Sequence, residues 1–297
     1  MLNYDHLMSL LAVARYGSFE AAARELKVTP SAVSQRVKLL EERTGSLLIV
    51  RGQPCVPTTS GALLCRHVER VRFLEVELNE AFPLPARGGD DSDAPWLPLR
   101  VAVNYDSVGT WFIDAVADVC RRRRILLDIV VDDAERTMQR IREGSVQGAV
   151  TSQAEPISGC HAIHLGRMDY VPVCAPSFAQ RFFADGVDRD ALAVAPRIDL
   201  SGVSSLAQRF TRGITHAPIE PPVHTIPNVS GLLRACLHGM GWGVLPVHVA
   251  TPHIDQGELV CFAPERFFSI ELYWHSWNVA INTLEEFGIA LRDAFAR

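Results

Sequence analysis

The sequence predicts an α/β protein that begins with a small helical head. Three patterns predict this class. The first residues (1–58) hold short amphipathic helical patterns, one long apolar helical stripe follows them, and strand-like runs alternate with helical runs after residue 98. With 297 residues, the chain has room for two or three domains.

The head contains three predicted helices. Apolar residues recur every three or four positions in each, as Leu7, Leu10 and Ala14 do in the first. Serine and threonine side chains cap helix N-termini, and glycine adopts the left-handed conformation that ends a helix. The predicted helices are one ending at Gly17, one capped by Ser18, and one from about Pro30 to Arg43 capped by Thr29.

Two short extended runs and a long helix complete the N-terminal region. Leu47–Arg51 and Cys55–Pro57 surround a Gly-Gln-Pro turn and predict a small β-ribbon. Thr58 is expected to cap a helix that runs to about Leu78. The Pro-, Gly- and Asp-rich segment that follows is a predicted linker. The chain thus divides into a head (1–58), a linker helix (59–82), a linker (83–98) and an α/β domain (99–297).

The α/β domain shows strands alternating with helices, a pattern typical of βαβ units and a parallel sheet. The predicted strands are Leu99–Val103, Ile125–Val131, Val146–Thr151, Ile163–Val173, His224–Pro227, Gly243–Val247 and Ser269–Trp274. The predicted helices that we place by residue are Thr110–Arg122, Arg136–Glu143 and Thr283–Phe295.

Charge is distributed unevenly between the two parts. Residues 1–66 hold eight Lys or Arg and five Asp or Glu, a balance of +3, whereas the whole chain carries −5. The remainder is therefore at −8. The negative total argues against a nucleic-acid partner for the chain as a whole, but a basic head on an acidic body indicates two separate tasks.

Composition and motifs exclude several classes of protein. The seven cysteines are an odd number without a C-x-x-C pair, which favours reduced thiols in a cytoplasmic protein. No run reaches the roughly 18 apolar residues of a membrane helix, and the N-terminus lacks the basic region of a signal peptide. We therefore expect no contact with a membrane. Metal-ligand spacings, a P-loop and a nucleophile elbow are also missing, so we expect no cofactor and no metal.

The third predicted helix has a polar face of the kind that reads DNA. Val33, Val37 and Leu40 form one apolar stripe, and the side chains opposite it are polar or basic. Glutamine pairs with adenine edges, serine with several bases, and lysine or arginine with guanine or phosphate. The alternative is an ordinary three-helix core with a solvated face. The DNA-contact candidates on and beside this helix are Thr29, Ser31, Ser34, Gln35, Arg36 and Lys38.

The stretch from Phe19 to Glu41, FEAAARELKVTPSAVSQRVKLLE, resembles the N-terminal signature of LysR-type transcriptional regulators. Leu47-Leu48-x-x-Arg51 followed by Pro57-Thr58-x-x-Gly61 resembles the family's wing and linker-helix start, and we expect Arg51 to contact phosphate. The resemblance implies a winged helix-turn-helix, a long linker helix that dimerises, and a two-lobed α/β effector domain like the periplasmic binding proteins. The implied lobes are about 99–151 with 271–297, and about 152–270, with crossings near Thr151–Gln153 and Val223–Ser230.

Other motifs are similar to one branch of that family, the ArgP/LysG regulators of basic amino-acid export. They are Val103-Asn104-x-Asp106-Ser107-x-x-Thr110-Trp111, Gly148-Ala149-Val150-Thr151 and Leu272-Tyr273-Trp274. The branch implies L-lysine or L-arginine as the effector, an exporter gene as the target, and a homodimer or homotetramer on double-stranded DNA, with RNA polymerase as a further partner.

The candidate effector residues follow predicted strands, where ligands bind in open α/β sheets. We expect carboxylates to meet the effector's cationic groups and helix-start hydroxyls to hold its carboxylate. Each residue has a local alternative as a helix cap or a solvated strand end. The candidates are Asp106, Ser107, Thr110, Asp132, Asp133, Thr151, Asn228 and Ser230.

These features favour a DNA-binding regulator that changes shape when an amino acid binds. Three alternatives remain open at this point: a regulator with a different small-molecule effector, an enzyme on the α/β domain, and a plain solute-binding protein. The missing nucleophile–base motif counts against the enzyme, and the DNA-reading head counts against the solute-binding protein.

Overall fold

The computed structural model describes residues 2–81, 96–132, 134–143, 145–200, 205–216, 218–278 and 282–295. Of the expected linker at 83–98, only the last three residues lie within these ranges, and Asp133 lies outside them.

Three helices pack around one small core in the head. They are α1 (Tyr4–Tyr16), α2 (Phe19–Glu25) and α3 (Pro30–Thr44), followed by a ribbon of β1 (Ile49–Val50) and β2 (Val56–Pro57). The predicted caps are present, since Ser18 accepts a bond from the Ala21 amide and Thr29 from the Ala32 amide. Gly17 ends α1 with a left-handed φ of 70°. The core is formed by Leu7, Leu10, Leu11, Val13, Val33, Val37, Leu40 and Leu48.

The long helix α4 (Thr59–Ala81) leaves the ribbon directly. Its N-cap is Thr58, as predicted, whose Oγ1 accepts a hydrogen bond from the Gly61 amide at 3.1 Å. Cys65 and Val68 pack into the core of the head. The first turns of the helix are therefore anchored in the core of the head, and Glu69 and Glu75 further along it contact Arg15 and Tyr4 of α1.

The rest of the chain alternates strands and helices. The strands are β3 (Leu97–Val103), β4 (Ile125–Val131), β5 (Gly148–Thr151), β6 (Cys160–Cys174), β7 (Arg197–Asp199), β8 (Val223–Thr225), β9 (Gly243–Pro246), β10 (Val260–Cys261) and β11 (Phe268–Trp277). The helices are α5 (Tyr105–Gly109), α6 (Phe112–Arg122), α7 (Ala134–Glu143), α8 (Pro176–Phe182), α9 (Arg189–Val194), α10 (Ser205–Thr215), α11 (Val229–Leu237), α12 (Val247–Asp255) and α13 (Asn282–Phe295).

Seven of these strands form one mixed sheet, not the parallel sheet that the alternation predicted. β4, β3 and β5 are parallel neighbours, but β11 runs antiparallel to both β5 and β6, and β6 runs antiparallel to β9 and β10. The prediction failed because a buried apolar run does not encode strand direction. β7 and β8 form a separate parallel pair.

Two long strands, β6 and β11, join the two ends of this sheet. One end, which we call the first strand group, holds β3, β4 and β5, and the other holds β9 and β10. The separate β7–β8 pair lies beside β9, because Arg197 forms a bridge with Trp242, and we count it with β9 and β10 as the second strand group. The chain enters the second strand group through β6 and returns through β11. The crossing expected near Val223–Ser230 is not seen there, because Val223–Thr225 pairs with Arg197–Asp199 inside the second group.

A β-bulge interrupts the pairing of β6 with β11. Leu272 pairs with Gly166 but Tyr273 pairs with His164, so Leu165 is an extra residue in β6. Gly166 has a φ of 146°, a conformation that favours glycine. The bulge lies where β11 begins to pair with β5, since Tyr273 also pairs with Thr151.

A single large core connects the two strand groups. It contains Trp274, Phe112 and Phe287 beside the first group and Trp242 and Phe178 beside the second. Among the described residues, no helix is long and apolar enough to cross a membrane.

Candidate DNA-binding face and effector site

Helix α3 presents the polar face expected from the sequence. Ser31, Gln35 and Lys38 are exposed, Ser34 and Arg36 are partly exposed, and Val33 and Val37 are buried in the head. Thr29 is exposed at the N-cap and shares a 3.0 Å hydrogen bond with the Ser31 hydroxyl. Ser31, Ser34, Gln35 and Lys38 share one face of the helix at helical spacing. Thr29 caps the start of the helix, and Arg36 lies on its flank.

The wing candidate Arg51 lies against helix α2. Its guanidinium carbon is 5.3 Å from the centre of the Phe19 ring, a cation–π distance. The same turn of the wing is fixed by a 2.7 Å hydrogen bond from the Cys55 amide to the Gly17 carbonyl. These contacts hold the Arg51 side chain beside the α1–α2 turn, on the exposed surface of the head.

The effector candidates centre on α5, a short helix that directly follows β3. Asp106 lies in its first turn and is 5% exposed, and Oδ2 of Asp106 accepts a 3.0 Å hydrogen bond from the hydroxyl of Tyr170 on β6. Burial raises the pKa of Asp106 to about 6, and the Tyr170 hydrogen bond opposes that rise. Desolvation is the larger effect, so the site favours a carboxyl group that is easily protonated.

Three buried side-chain oxygens at the start of this helix lack a hydrogen-bond partner among the described residues. They are Oδ1 of Asn104, Oδ1 of Asp106 and Oγ of Ser107. Asn104 occupies the N-cap position of α5 but makes no side-chain cap bond, and neither carboxylate oxygen of Asp106 is engaged by the helix. The alternative reading of Asp106 as a helix cap is therefore wrong. Buried groups without partners are rare, so these oxygens are expected to meet water or a bound molecule.

Thr110 and Asp132 are already engaged within the chain. Thr110 closes α5 instead of opening a helix as predicted, and Oγ1 of Thr110 donates a 2.7 Å bond to the Asp106 carbonyl. Oδ2 of Asp132 accepts bonds of 3.0 and 2.8 Å from Arg140, which compensates its charge. Thr110 therefore closes a helix where the sequence predicted that one begins. The contact of Asp132 with the effector's amino groups stays a prediction, for a carboxylate whose charge Arg140 already compensates.

The remaining candidates surround α5 from two directions. Thr151 is buried at the carboxyl end of β5, next to β3, and accepts a 3.3 Å bond from the Gln153 amide. Asn228 is the N-cap of α11 and accepts a 2.6 Å bond from the Gly231 amide, so its cap reading is correct. Ser230 is exposed in the first turn of α11.

Helices α5 and α11 meet where the two strand groups approach each other. A Cβ on Gly109 of α5 would lie 3.2 Å from Cγ2 of Val229 of α11, so the helices touch. The structure therefore brings Asp106 and Ser107 of the first group close to the N-terminus of α11.

Sequence reasoning missed two members of this site. Tyr170 lies 64 residues from Asp106 along the chain, in a strand whose pairing was unknown. Asn104 was visible within the motif that follows β3, but its side chain was not singled out. The described residues hold no group of three or more His, Cys, Asp or Glu arranged for a metal ion.

Comparison with known proteins agrees with both parts of the chain. The lysR family of bacterial regulatory helix-turn-helix proteins matches residues 4–62, and the LysR substrate binding domain matches residues 97–296. The transcriptional regulator ArgP of Pseudomonas aeruginosa is 40% identical over 280 residues, which cover 94% of this chain and 91% of ArgP.

Two solved structures extend the likeness to the whole fold. The crystal structure of ArgP from Mycobacterium tuberculosis has a TM-score of 0.86 at 34% identity and covers 100% of this chain and 98% of its own. Full-length LysG from Corynebacterium glutamicum with bound effector Arg has a TM-score of 0.75 at 30% identity, and covers 99% of this chain and 98% of its own. The chain belongs to the LysR family and is a DNA-binding transcriptional regulator of the ArgP/LysG type, not an enzyme.

Proposed function

We propose that this regulator responds to a basic amino acid, L-lysine or L-arginine, bound between α5 and the N-terminus of α11. The observation that carries the proposal is the set of three unpartnered buried oxygens on Asn104, Asp106 and Ser107. Two of them can only accept hydrogen bonds, and the third can accept as well. Ammonium and guanidinium groups are donors without acceptors, so they match this set.

Charge supports the same ligand class. The carboxyl group of Asp106 is buried. Among the described side chains, no cation is hydrogen-bonded to it or contributes to its pKa shift. A cationic ligand group would stabilise the ionised form and form a charge-assisted hydrogen bond with Oδ1. The structure of the related LysG carries the effector Arg, which is a ligand of this kind.

The other end of the amino acid has a candidate partner in the second strand group. Ser230 is exposed in the first turn of α11, and α11 contacts α5 at Val229. Helix N-termini favour carboxylates. We therefore assign the ligand's cationic group to Asp106, with Ser107 and Thr151 beside it, and its carboxylate to α11. This reverses the expectation that the first turn of α5 holds the carboxylate.

A ligand that touches α5 and α11 together favours the arrangement in which the two strand groups are close. In a homodimer or homotetramer, that preference changes the spacing of the DNA-reading helices. Three leucines that α4 exposes along one side, Leu63, Leu74 and Leu78, support self-association. An exporter gene as the target and RNA polymerase as a further partner are supported by the resemblance to the ArgP/LysG branch.

Calorimetric titration tests the ligand. L-lysine and L-arginine are titrated into the purified protein, with L-citrulline and L-norleucine as neutral analogues of matched length, and into Asp106→Asn. We expect binding of a basic amino acid, and an affinity about tenfold to hundredfold weaker in Asp106→Asn, because a hydrogen bond to a charged group contributes about 1.5–3 kcal/mol. No binding to the wild type rejects this effector class, and unchanged affinity in Asp106→Asn rejects the site.

A further inference from the structure

Gln147 occupies a position that joins three parts of the chain. It directly precedes β5, is 2% exposed, and exchanges two hydrogen bonds with Arg100 of β3: its amide donates to the Arg100 carbonyl at 2.8 Å, and Oε1 of its side chain accepts from the Arg100 amide at 2.6 Å. Nε2 of Gln147 then donates a 2.8 Å hydrogen bond to Oε2 of Glu69 on the linker helix α4. One side chain thus connects the adjacent strands β3 and β5 to the linker helix.

Glu69 is also linked to the DNA-binding head. Its Oε1 lies 3.6 Å from the Arg15 guanidinium of α1, and 16% of its side chain is exposed. Burial raises the pKa of Glu69, while Arg15 and the Gln147 hydrogen bond oppose that rise. The carboxylate is therefore costly to leave without partners, and its partners come from both the head and the α/β domain.

The strands at Gln147 lead straight to the effector site. β3 and β5 run in parallel from Arg100 and Gln147. β3 leads into α5, which holds Asp106, and β5 ends at Thr151, about 13 Å from Gln147 at roughly 3.3 Å per residue. The third neighbour, β11, pairs with Thr151 near its middle and ends at Trp277, whose amide donates a 3.3 Å bond to the Gln147 carbonyl. The strands that frame the effector site at one end therefore meet the linker helix at the other.

Two further contacts hold α4 against the same end of these strands. Nη1 of Arg66 donates a 2.6 Å bond to the Arg142 carbonyl, and the guanidinium of Arg70 lies 5.1 Å from the centre of the Trp277 ring. Arg66, Glu69 and Arg70 are adjacent on α4, so one face of the helix docks on the α/β domain.

We propose that the hydrogen bond between Gln147 and Glu69 is the contact through which the effector domain positions the linker helix. This proposal rests on the proposed function in one respect: the effect of ligand binding at the effector site is transmitted to the head through this contact. Glu69 and Gln147 are positioning residues, which act on DNA through α4 and Arg15 and touch neither DNA nor ligand.

The experiment compares full-length wild type with Gln147→Ala, Glu69→Gln and the double variant. The matched control is Glu75→Gln, which removes a carboxylate from the same helix where it accepts a 3.0 Å bond from Tyr4 of the head. The first measurement is hydrogen–deuterium exchange of residues 59–81 without effector. We expect at least several-fold faster exchange in Gln147→Ala than in the control, because the helix loses its buried anchor.

The second measurement is the ratio of Kd values for DNA with and without saturating arginine, on a duplex selected from a random library with the full-length protein. We expect Gln147→Ala to bind arginine and to unfold at a temperature near that of Glu75→Gln, yet to bring this ratio at least several-fold closer to one. The double variant should lose no more coupling than Gln147→Ala alone.

If residues 59–81 exchange in Gln147→Ala as slowly as in the wild type, Gln147 does not hold the linker helix. If the ratio of Kd values in Gln147→Ala equals that of the wild type, the contact does not couple the effector site to DNA binding. An equal loss in Glu75→Gln overturns both, since it would reflect a general weakening of α4. If the wild type binds neither lysine nor arginine, the proposed function fails, whereas the exchange measurement still decides the contact.

Discussion

The hydroxyl of Tyr170 donates a 3.0 Å hydrogen bond to the buried carboxylate of Asp106, from β6, a strand that joins the two strand groups. This bond lowers the pKa of Asp106 against the larger effect of burial. The ionisation of Asp106 thus depends on a residue in β6, and so would the affinity for the proposed cationic ligand.

Effector affinity is expected to fall below about pH 6 and to stay level above it. Asp106 is half protonated near pH 6, and only its ionised form attracts an ammonium or guanidinium group. At pH 5 the affinity should be about tenfold below its plateau. Calorimetry across pH 5–8 checks this, with Asp106→Asn as the control that shows no such dependence. A level profile in the wild type would contradict ionisation of Asp106 as a condition for binding.

Tyr170→Phe should move the midpoint of that pH profile above 6. The substitution removes the hydroxyl that stabilises the carboxylate and leaves desolvation unopposed, so Asp106 keeps its proton to higher pH. Titration of the variant with arginine across the same range measures the midpoint. An unchanged midpoint would show that Tyr170 packs against the site without tuning it.

Asp106→Asn should stabilise the ligand-free protein at neutral pH. The pKa of Asp106 is raised from 3.8 to about 6, so the folded state holds its proton more tightly than the unfolded state does. Stability is then greatest below about pH 4 and falls as the pH rises through about 6, by on the order of 3 kcal/mol. Urea unfolding of both proteins at pH 4 and pH 7.5 tests the difference, which should vanish at pH 4.

Gln35→Ala and Ser34→Ala should weaken binding to a selected duplex and leave binding to random DNA nearly unchanged. Both side chains lie on the solvent-facing surface of α3, and each lost base contact costs about 1–3 kcal/mol. Anisotropy measurements on both duplexes decide the point. Equal losses on the two duplexes would mean that these residues do not read bases.

Arg51→Ala should weaken binding to every duplex and lower the slope of log K against log salt, as expected for a lost phosphate contact. Phe19→Leu should have a smaller effect in the same direction, because the 5.3 Å stack no longer orients the guanidinium. Phe19→Tyr keeps the ring and is the matched control. Fully additive effects of Arg51→Ala and Phe19→Leu would show that the ring does not position Arg51.

Leu63, Leu74 and Leu78 expose 58%, 45% and 62% of their surface along one side of α4. If this stripe forms the contact between protomers, Leu74→Glu should shift the protein toward monomer, because a charge buried in an apolar interface is costly. Sedimentation velocity measures the shift. Asp114→Lys on the distant helix α6 serves as the control for a charge change, and an unchanged Leu74→Glu oligomer would exclude this stripe.

The head was predictable because its signals are local. Thr29 and Ser18 cap the helices that follow them, and Gly17 ends the helix before it, so each boundary depends on residues within one turn. The boundaries of β4 were predicted for the same reason, as one apolar run between helical patterns.

The candidate effector site was predictable only in part, because its main contacts join residues that are distant in sequence. Asp106 stands out as an acidic residue after a strand, but nothing near it indicates Tyr170 as its partner. The same strand-end rule selected Asp132, which Arg140 neutralises from the following helix. A carboxylate's position in a motif does not show whether its charge is compensated, since that depends on side-chain orientation.

The β-bulge at Leu165 bears on how the molecule deforms. Because β6 and β11 both run from one strand group to the other, the two groups cannot rotate freely about a flexible hinge. Relative rotation must be taken up as torsion within a hydrogen-bonded ribbon, and a ribbon is most compliant where its ladder is already interrupted. The bulge lies beside Thr151, so the proposed ligand would bind next to the most deformable part of the ribbon. A small change of angle there would displace the far end of the sheet in proportion to its distance from the bulge.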